Sequence, residues 1–247
     1  MSQFSLDNLP EIPEEARSSS RPFELGGNYL VSTFVQMGLG LSLTALTAFL
    51  FLVCGGTYFM YSHPMLALVL MIAQIGIALS FSFSMNKASV GTLRLMFFAY
   101  SVLTGLTFSS LGIVYTGSTL FYAFAISAVY YFCLAFVGAT TKKNLSSLGM
   151  ICLVGLVVML LAEVVLMLFG APLNIQLYSI IGMLLFTGIT MWDVWRMKQI
   201  MENAPLDSMT KQKWTVYFAL ELYLDFINIF LYVLRLFAAG SGSSSRR

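Results

Sequence analysis

The chain has 247 residues, of which 58% are hydrophobic and 10% are charged, and its formal net charge is +2. Soluble domains contain about 45–50% apolar and about 25% charged residues, so this chain cannot cover itself with polar surface in water. The composition therefore excludes an ordinary soluble enzyme. The small net charge excludes a nucleic-acid partner, since binding to phosphates needs many basic residues. The class that remains is one integral membrane domain embedded in a lipid bilayer.

The two ends of the chain differ in composition from the middle. Residues 1–28 carry acidic residues, prolines and serines, without the basic segment and short apolar core of a cleaved signal peptide. We predict that they form a flexible cytoplasmic tail. Residues 238–247 are rich in Gly and Ser, a composition that predicts a second flexible tail and is also typical of an added linker. The membrane domain then occupies residues 29–237.

Seven apolar stretches lie between the tails, each close to the ~20 residues that a helix needs to cross a ~30 Å hydrocarbon core. They run approximately over residues 30–59, 64–85, 93–114, 118–138, 148–169, 174–196 and 214–237. Because they are continuously apolar and not alternating, helices are favoured over barrel strands. The sequence predicts an all-α membrane protein with seven transmembrane helices and a long polar loop at 198–213.

The distribution of Lys and Arg predicts the orientation in the membrane. Ten of these residues fall on the side of the N-terminus and three on the other side. Since cytoplasmic loops of membrane proteins carry an excess of Lys and Arg, we expect a cytoplasmic N-terminus. Seven crossings then place the C-terminus outside.

Acidic side chains within the predicted spans are the first candidates for a functional site, because a charge at membrane depth costs ~2.5–3.5 kcal/mol. Asp193 lies close to the cytoplasmic end of the sixth span. Asp225 lies ~16 Å into the seventh span at 1.5 Å per residue. Glu221, Asp225 and Asn228 are spaced i, i+4, i+7 and form one polar stripe. We expect this stripe to face the interior of the bundle, since lipid offers it no partner.

Two further residues are candidates because of their expected depth in the membrane. The second span ends near Lys87, at the expected level of Asp193, so we hypothesise a Lys87–Asp193 ion pair that closes the cytoplasmic end of an interior path. The alternative is that Lys87 only reaches for lipid headgroups. Glu163 lies beyond the midplane, towards the outside. Two roles are open for it: a second ion site, or a structural partner for another side chain.

Other kinds of site are not supported by the sequence. Cys54, Cys133 and Cys152 have unrelated spacings and lie far from His63, so no zinc or redox site is expected. The motifs of intramembrane aspartyl proteases and of serine hydrolases are absent from the sequence. The seventh span has no interior lysine for a retinal Schiff base. We therefore expect a protein that is not an enzyme and has no tightly bound cofactor.

Three stretches of the sequence form recognisable motifs: Tyr100-Ser-Val-Leu-Thr-Gly-Leu-Thr-Phe-Ser-Ser110, Thr140-Thr-Lys-Lys-Asn-Leu-Ser146 and Leu220-Glu-Leu-Tyr-Leu-Asp-Phe-Ile-Asn-Ile-Phe230. These stretches resemble the Bax inhibitor family, the transmembrane Bax inhibitor motif proteins, and its bacterial inner-membrane branch in particular. The resemblance covers residues 25–237. It implies a seven-helix fold with the last helix near the bundle centre, a location in the bacterial inner membrane, and a pH-sensitive calcium leak.

The resemblance also implies roles for individual residues. By position, Asp193 and Asp225 are the aspartate pair that senses pH, and Lys87 is the basic latch of helix two. The sequence departs from the family pattern at Trp192, where Tyr is usual, and at Lys87, because Lys in place of Arg removes a bidentate pair. Glu221 and Glu163 add acids that bacterial relatives often lack.

The mechanism expected from these residues couples protons to calcium. Two close carboxylates in a bundle of low dielectric cannot both ionise easily, so proton occupancy of Asp193 and Asp225 would shift a closed–open equilibrium. Calcium prefers carboxylate oxygens, so the same pair are candidate ligands for a transported or transiently bound calcium ion. The alternative function is a membrane-embedded regulator of a membrane protease, or of a stress or cell-death response. Such a regulator would act by binding a membrane protein partner, and the tail 1–28 is a candidate contact.

Overall fold

The computed structural model describes residues 22–85, 87–170 and 172–243, and the secondary structure in these residues is entirely helical. They form nine helices: α1 (Pro22–Val53), α2 (Gly56–Ser62), α3 (Pro64–Ser84), α4 (Val90–Phe108), α5 (Leu111–Val114), α6 (Gly117–Thr140), α7 (Ser146–Leu168), α8 (Ile175–Asn203) and α9 (Ser208–Ser243). Seven stretches are long and apolar enough to cross a membrane, with α4 and α5 together forming the third. The prediction of an all-α protein with seven candidate spans is confirmed.

The helices end where the backbone or a capping side chain requires it. Gly55 has φ +75°, in the left-handed region that favours glycine, and it ends α1 before the predicted limit of the first span. Three side-chain oxygens accept a backbone N–H in the first turn of a helix: Ser89 for α4, Thr116 for α6 and Asn174 for α8. These caps replace hydrogen bonds that the first turn of a helix lacks.

The structure differs from the predicted long loop at 198–213. Helix α8 continues to Asn203 and α9 begins at Ser208, which leaves a turn of residues 204–207. Charged residues are good helix formers where a helix passes from lipid into water, so polarity alone does not mark a loop. Asp207 caps α9 by accepting the Thr210 N–H at 3.4 Å. Hydrogen bonds from Thr210 hold the pKa of Asp207 below its ordinary value.

The ends of the outermost helices extend into the predicted tails. Residues 22–28, predicted as part of the N-terminal tail, form the first turns of α1. Helix α9 reaches Ser243, within the predicted tail of residues 238–247. The remaining parts of both tails, 1–21 and 244–247, lie outside the described residues.

Helix α9 occupies the centre of the bundle. It packs against α8, α1, α6 and α4. In the most apolar 18-residue stretch of α9, 72% of the residues are buried. In the corresponding stretch of α3, which lies at the periphery, 6% are buried. The expectation that the last helix lies near the bundle centre is confirmed. A polar side chain on α9 therefore faces protein and not lipid over most of the helix circumference.

Glycines set the spacing between neighbouring helices. A Cβ atom on Gly138 of α6 would lie 2.6 Å from the backbone oxygen of Met191 in α8. A Cβ atom on Gly105 of α4 would lie 2.7 Å from the backbone oxygen of Thr44 in α1. Small residues of this kind let helix backbones approach closely within a membrane. The Gly138 contact fixes the distance between α6 and α8 within a turn of Asp193.

Two lysines lie at the end of the bundle that carries most of the Lys and Arg residues, which we call the basic end. Both bind the carboxyl ends of neighbouring helices. Lys198 Nζ on α8 donates to the carbonyl oxygen of Ala139 at 2.9 Å, near the end of α6. Lys213 Nζ on α9 donates to the carbonyl oxygen of Met85 at 3.3 Å, just after α3. Carbonyls in the last turn lack partners within the helix and carry the negative end of its dipole. These lysines therefore hold four helices together at one end.

Candidate functional site

Asp193 on α8 and Asp225 on α9 face each other in the interior of the bundle. Their relative exposures are 5% and 4%. The two carboxyl groups are near enough to interact electrostatically. Asp225 Oδ2 is buried and has no hydrogen-bond partner among the described residues, whereas Asp193 Oδ1 makes no hydrogen bond of good geometry but lies within ion-pair distance of Arg196. An ionised carboxylate carries acceptors only, so Asp225 Oδ2 is satisfied only by a proton, a water molecule or a cation.

Arg196 joins the pair to a third acid. Its Nη2 atom lies 3.0 Å from Asp193 Oδ1, and the same atom pairs with Glu221 Oε2 on α9. The guanidinium carbon lies 4.5 Å from the centroid of the Trp192 ring and 5.5 Å from that of Phe218. These aromatic faces hold the cation in place. We call Asp193, Asp225, Glu221 and Arg196 the acid cluster; with its three acids ionised its formal charge is −2.

Two buried hydroxyl groups lie beside the acid cluster. Thr190 interacts with Asp225, and Tyr131 lies near both aspartates. Of the seven buried side-chain atoms without a hydrogen-bond partner in the described residues, five belong to this region, including Thr190 Oγ1 and Tyr131 Oη. An unpaired buried polar group costs about 1–3 kcal/mol. Asp193 Oδ1 is in contact with Arg196, but the other four of these atoms have neither a hydrogen bond nor an ion pair within the described part of the chain, so polar atoms without partners are concentrated at this site.

Aromatic side chains separate the acid cluster from the far end of α9. Phe226 follows Asp225 and packs against Tyr131 and Phe124, with ring centroids 5.6 Å and 5.3 Å apart. Beyond it, a cavity of 270 Å³ lies among α1, α4, α5, α6 and α9, and Phe226 and Phe230 contribute to its almost wholly apolar lining. A hydrated ion would have to pass this apolar layer to reach the C-terminal end of α9.

The polar stripe predicted on α9 is brought together only in part. Glu221 joins Asp193 through Arg196. Asn228 donates its amide Nδ2 to the carbonyl oxygen of Leu224 on its own helix at 2.8 Å. Its spacing predicts the correct face, but the side chain satisfies itself locally and adds no contact to the acid cluster.

The structure places the predicted latch residue apart from the pair. Lys87 is exposed and forms no ion pair with a carboxylate of the described residues. Asp193 is paired with Arg196 instead, and the hypothesised Lys87–Asp193 contact is not formed here. Arg196 lies one turn further along the same helix, so it reaches Asp193 without crossing the bundle.

Glu163 lies towards the other end of the bundle. Its Oε2 atom accepts a hydrogen bond from the Tyr178 hydroxyl at 2.5 Å. No hydrogen bond or ion pair of the described residues connects it with Asp193 or Asp225. It belongs to a separate polar site, at the end of the bundle where α7 ends and the last part of α9 lies.

The described residues contain no group of three or more His, Cys, Asp or Glu side chains that could hold a metal ion. Calcium takes six to eight oxygen ligands. Asp193, Asp225 and the Thr190 hydroxyl supply carboxylate and hydroxyl oxygens but fewer than a full shell.

Sequence reasoning missed three members of this site. Arg196 is spaced i+3 from Asp193, which allows contact on one helix face, but an arginine at this position also fits the general excess of basic residues at this end. Tyr131 and Thr190 carry no sequence signal, because single aromatic and threonine side chains are common in apolar spans. Only the packing of α6 against α8 shows that these side chains meet.

Comparison with known proteins gives consistent matches over the membrane domain. The profile of the family described as "Inhibitor of apoptosis-promoting Bax1" matches residues 27–242. A protein of Borreliella burgdorferi is 34% identical over 175 residues, which cover 71% of this chain and 75% of that protein. The Escherichia coli protein named inner membrane protein YbhL is 32% identical over 211 residues, 85% of this chain and 90% of its own. A Deinococcus radiodurans protein is 32% identical over 231 residues, 92% and 97% of the two chains.

Proposed function

The chain belongs to the Bax inhibitor family and is an integral membrane protein, and from that premise we propose that it is a pH-sensitive calcium leak channel gated by Asp193 and Asp225. The observation that carries the proposal is the buried acid cluster, in which Asp193 is paired with Arg196 and Asp225 Oδ2 has no hydrogen-bond partner among the described residues. The proposal assigns no catalytic residue and no tightly bound cofactor.

Protons act on this site through the charge that it can hold. Asp193 and Asp225 lie close together at low exposure, so ionisation of both is opposed by their mutual repulsion and by the loss of water around them. One shared proton removes the repulsion and bridges the two carboxyl groups. The proton occupancy therefore biases the packing of α8 against α9, and with it the equilibrium between closed and open bundles.

Calcium is the ion that best matches the available donors. Carboxylate oxygens are preferred ligands of this hard cation, and the acid cluster contains neither cysteine nor histidine. Glu221 extends the negative charge from Asp193 towards the basic end of the bundle, with Arg196 between them. The three acids together attract a divalent cation, and Arg196 competes with it for the same carboxylates.

In this proposal, the packing around the aspartates is that of the closed form of the channel. The aspartates are nearly inaccessible, and Phe226, Phe124 and Tyr131 lie between them and the apolar cavity. We place the basic end of the bundle in the cytoplasm, in the inner membrane of a bacterium, because most Lys and Arg residues lie at that end. Calcium would then leak inward past the aromatic layer to the acid cluster.

The test is calcium flux into liposomes that carry the purified protein, measured from about pH 6 to about pH 8. The wild-type protein is compared with the double variant Asp193→Asn/Asp225→Asn, which keeps the side-chain volumes and removes both titratable groups. We expect flux that varies with pH in the wild type and loses that variation in the double variant. Glu202→Gln is the matched control, because Glu202 is an exposed acid on α8.

A pH profile that is the same in the double variant and the wild type would contradict the sensor role of the aspartates. Flux no greater than that of empty liposomes at every pH would overturn the channel itself. That second outcome would favour the alternative function, a membrane-embedded regulator that acts by binding another membrane protein.

A further inference from the structure

Besides the acid cluster, the structure contains a polar pocket at the end of the bundle opposite the basic end. It has a volume of 520 Å³ and is lined by Tyr115, Glu163, Leu173, Ile175, Tyr178 and Arg235, together with Ala238. The end of α7, the start of α8 and the last part of α9 meet there. Nothing in the proposed leak mechanism uses this pocket.

The pocket contains one acid and one base that do not pair with each other. Glu163 is half-buried, and its Oε2 atom accepts the Tyr178 hydroxyl at 2.5 Å. Among the described residues, no hydrogen bond to the other carboxylate oxygen is found. Arg235 lies over the rings of Tyr178 and Tyr232, 6.0 Å and 5.8 Å from their centroids, and forms no ion pair with a described carboxylate. Both charged groups retain capacity for a ligand.

The pocket lies near the ends of two candidate spans, and the ends of spans lie where hydrocarbon meets headgroups in a bilayer. Glu163 lies five residues before the end of α7 at Leu168, or ~7.5 Å at 1.5 Å per residue. Arg235 lies three residues before the end of the last candidate span at Ala238, or ~4.5 Å. In the last turn of α7, one turn after Glu163, the apolar side chains of Met167 and Leu168 are exposed at 84% and 79%. These are surfaces that lipid chains cover in a bilayer.

We propose that this pocket binds the headgroup of phosphatidylethanolamine, with the phosphate at Arg235 and the ammonium group at Glu163. The planar guanidinium donates paired hydrogen bonds to phosphate oxygens. The free carboxylate oxygen of Glu163 accepts an N–H bond from a primary ammonium group. A choline headgroup has the same phosphate but no N–H donor, and a glycerol headgroup has no cation.

The lipid is the source of this zwitterion, because the exposed apolar side chains in the last turn of α7, one turn after Glu163, add contacts for acyl chains. Soluble phosphoethanolamine has the same charged groups without those chains. Burial of each CH₂ group adds about 0.8 kcal/mol, so the free headgroup binds far more weakly than the lipid.

The experiment is a lipid titration of the purified protein in detergent, followed by native mass spectrometry. The probes are phosphatidylethanolamine, phosphatidylcholine and phosphatidylglycerol with identical acyl chains, and soluble phosphoethanolamine. We expect phosphatidylethanolamine to bind about tenfold more tightly than phosphatidylcholine, since a charge-assisted hydrogen bond distinguishes them. Soluble phosphoethanolamine is expected to show no binding at the same concentrations.

The variants separate the two charged contacts. Glu163→Gln keeps an acceptor for Tyr178 and is expected to lose the preference for ethanolamine over choline, while phosphatidylglycerol binds as before. Arg235→Gln is expected to weaken all three phospholipids. If that variant does not fold, Arg235→Lys keeps the charge and weakens phosphate binding by less. Arg94→Gln, an exposed arginine near the other end of the bundle, is the control for general loss of charge.

Equal binding of ethanolamine and choline lipids to the wild type would overturn the proposal, as would an unchanged preference in Glu163→Gln. Binding of soluble phosphoethanolamine as tight as that of the lipid would overturn the lipid as its source. None of these readouts measures calcium flux, so failure of this proposal is distinct from failure of the leak.

Discussion

At the scale of single residues, the unusual feature is one arginine shared by two acids at membrane depth. Arg196 has a side-chain exposure of 28%, Glu221 of 21% and Asp193 of 8%. These three charged groups are therefore neither fully solvated nor fully buried. The guanidinium of Arg196 is the counter-charge in contact with both carboxylates, which have lost most of their water. Under the proposed leak function, this tethered cation occupies the position that a transported cation would take.

We predict that Arg196→Gln increases calcium flux and lowers stability. Without the guanidinium, Asp193 and Glu221 keep their negative charge without a partner and attract calcium more strongly. The loss of stability should fall between the ~1 kcal/mol of an exposed ion pair and the ~3–5 kcal/mol of a buried one, because the groups are partly exposed. The measurements are liposome flux and thermal unfolding in one detergent.

Arg94→Gln is the matched control for this variant, because Arg94 is exposed and takes part in no ion pair of the described residues. It should leave both flux and unfolding temperature near the wild-type values. Flux that stays the same or decreases in Arg196→Gln would mean that the arginine does not compete with the transported ion.

At the scale of helices, the site depends on how closely α6 and α8 approach. Gly138 has no side chain, so the carbonyl oxygen of Met191 packs directly against its backbone. A Cβ atom on residue 138 would lie only 2.6 Å from that oxygen. Tyr131, seven residues earlier on α6, thereby reaches the aspartate pair. A wider separation of these helices would remove the Tyr131 hydroxyl from the acid cluster.

We predict that Gly138→Ala lowers the free energy of unfolding by about 1–3 kcal/mol, the usual cost of overpacking a close contact. Gly76→Ala is the matched control. Gly76 is exposed on α3, and a Cβ atom there would have no neighbour within 4 Å. That change should be neutral or slightly stabilising, since alanine favours helix. Equal effects of the two substitutions in unfolding measurements would show that the Gly138 contact does not limit packing.

At the scale of the whole molecule, the two ends of the bundle differ in chemistry. One end carries Lys198 and Lys213, which bind the carboxyl ends of neighbouring helices. The opposite end carries the pocket with Glu163 and Arg235. This asymmetry, together with the excess of basic residues at the first end, is the basis for placing that end in the cytoplasm.

We predict that a cysteine in place of Gly117 reacts with a membrane-impermeant maleimide in intact cells with a permeable outer envelope. A cysteine in place of Lys143 should react only after the membrane is opened, because its loop lies at the basic end. Both positions are exposed in the structure. The native residues Cys54, Cys133 and Cys152 are replaced by alanine in both variants. The reverse labelling pattern would invert the proposed orientation.

Much of the architecture is determined by the sequence, because a bilayer leaves few choices to a chain of this composition. A continuous apolar stretch of about 20 residues satisfies its backbone in lipid only as a helix, which is why the number of spans was predicted correctly. The same argument places Asp225 on the inner face of its helix, since lipid offers a carboxylate no partner. Resemblance to the Bax inhibitor family added the central position of the last helix.

Only the tertiary structure decided which side chains meet. Spacing along one helix gives a face, but the partner across a helix contact depends on how two helices rotate and how closely they approach. Asp193 therefore pairs with Arg196 and not with Lys87, and Tyr131 enters the site from α6. Asn228 lies on the predicted face yet bonds to its own backbone, because a short amide reaches the carbonyl one turn away more easily than a neighbouring helix.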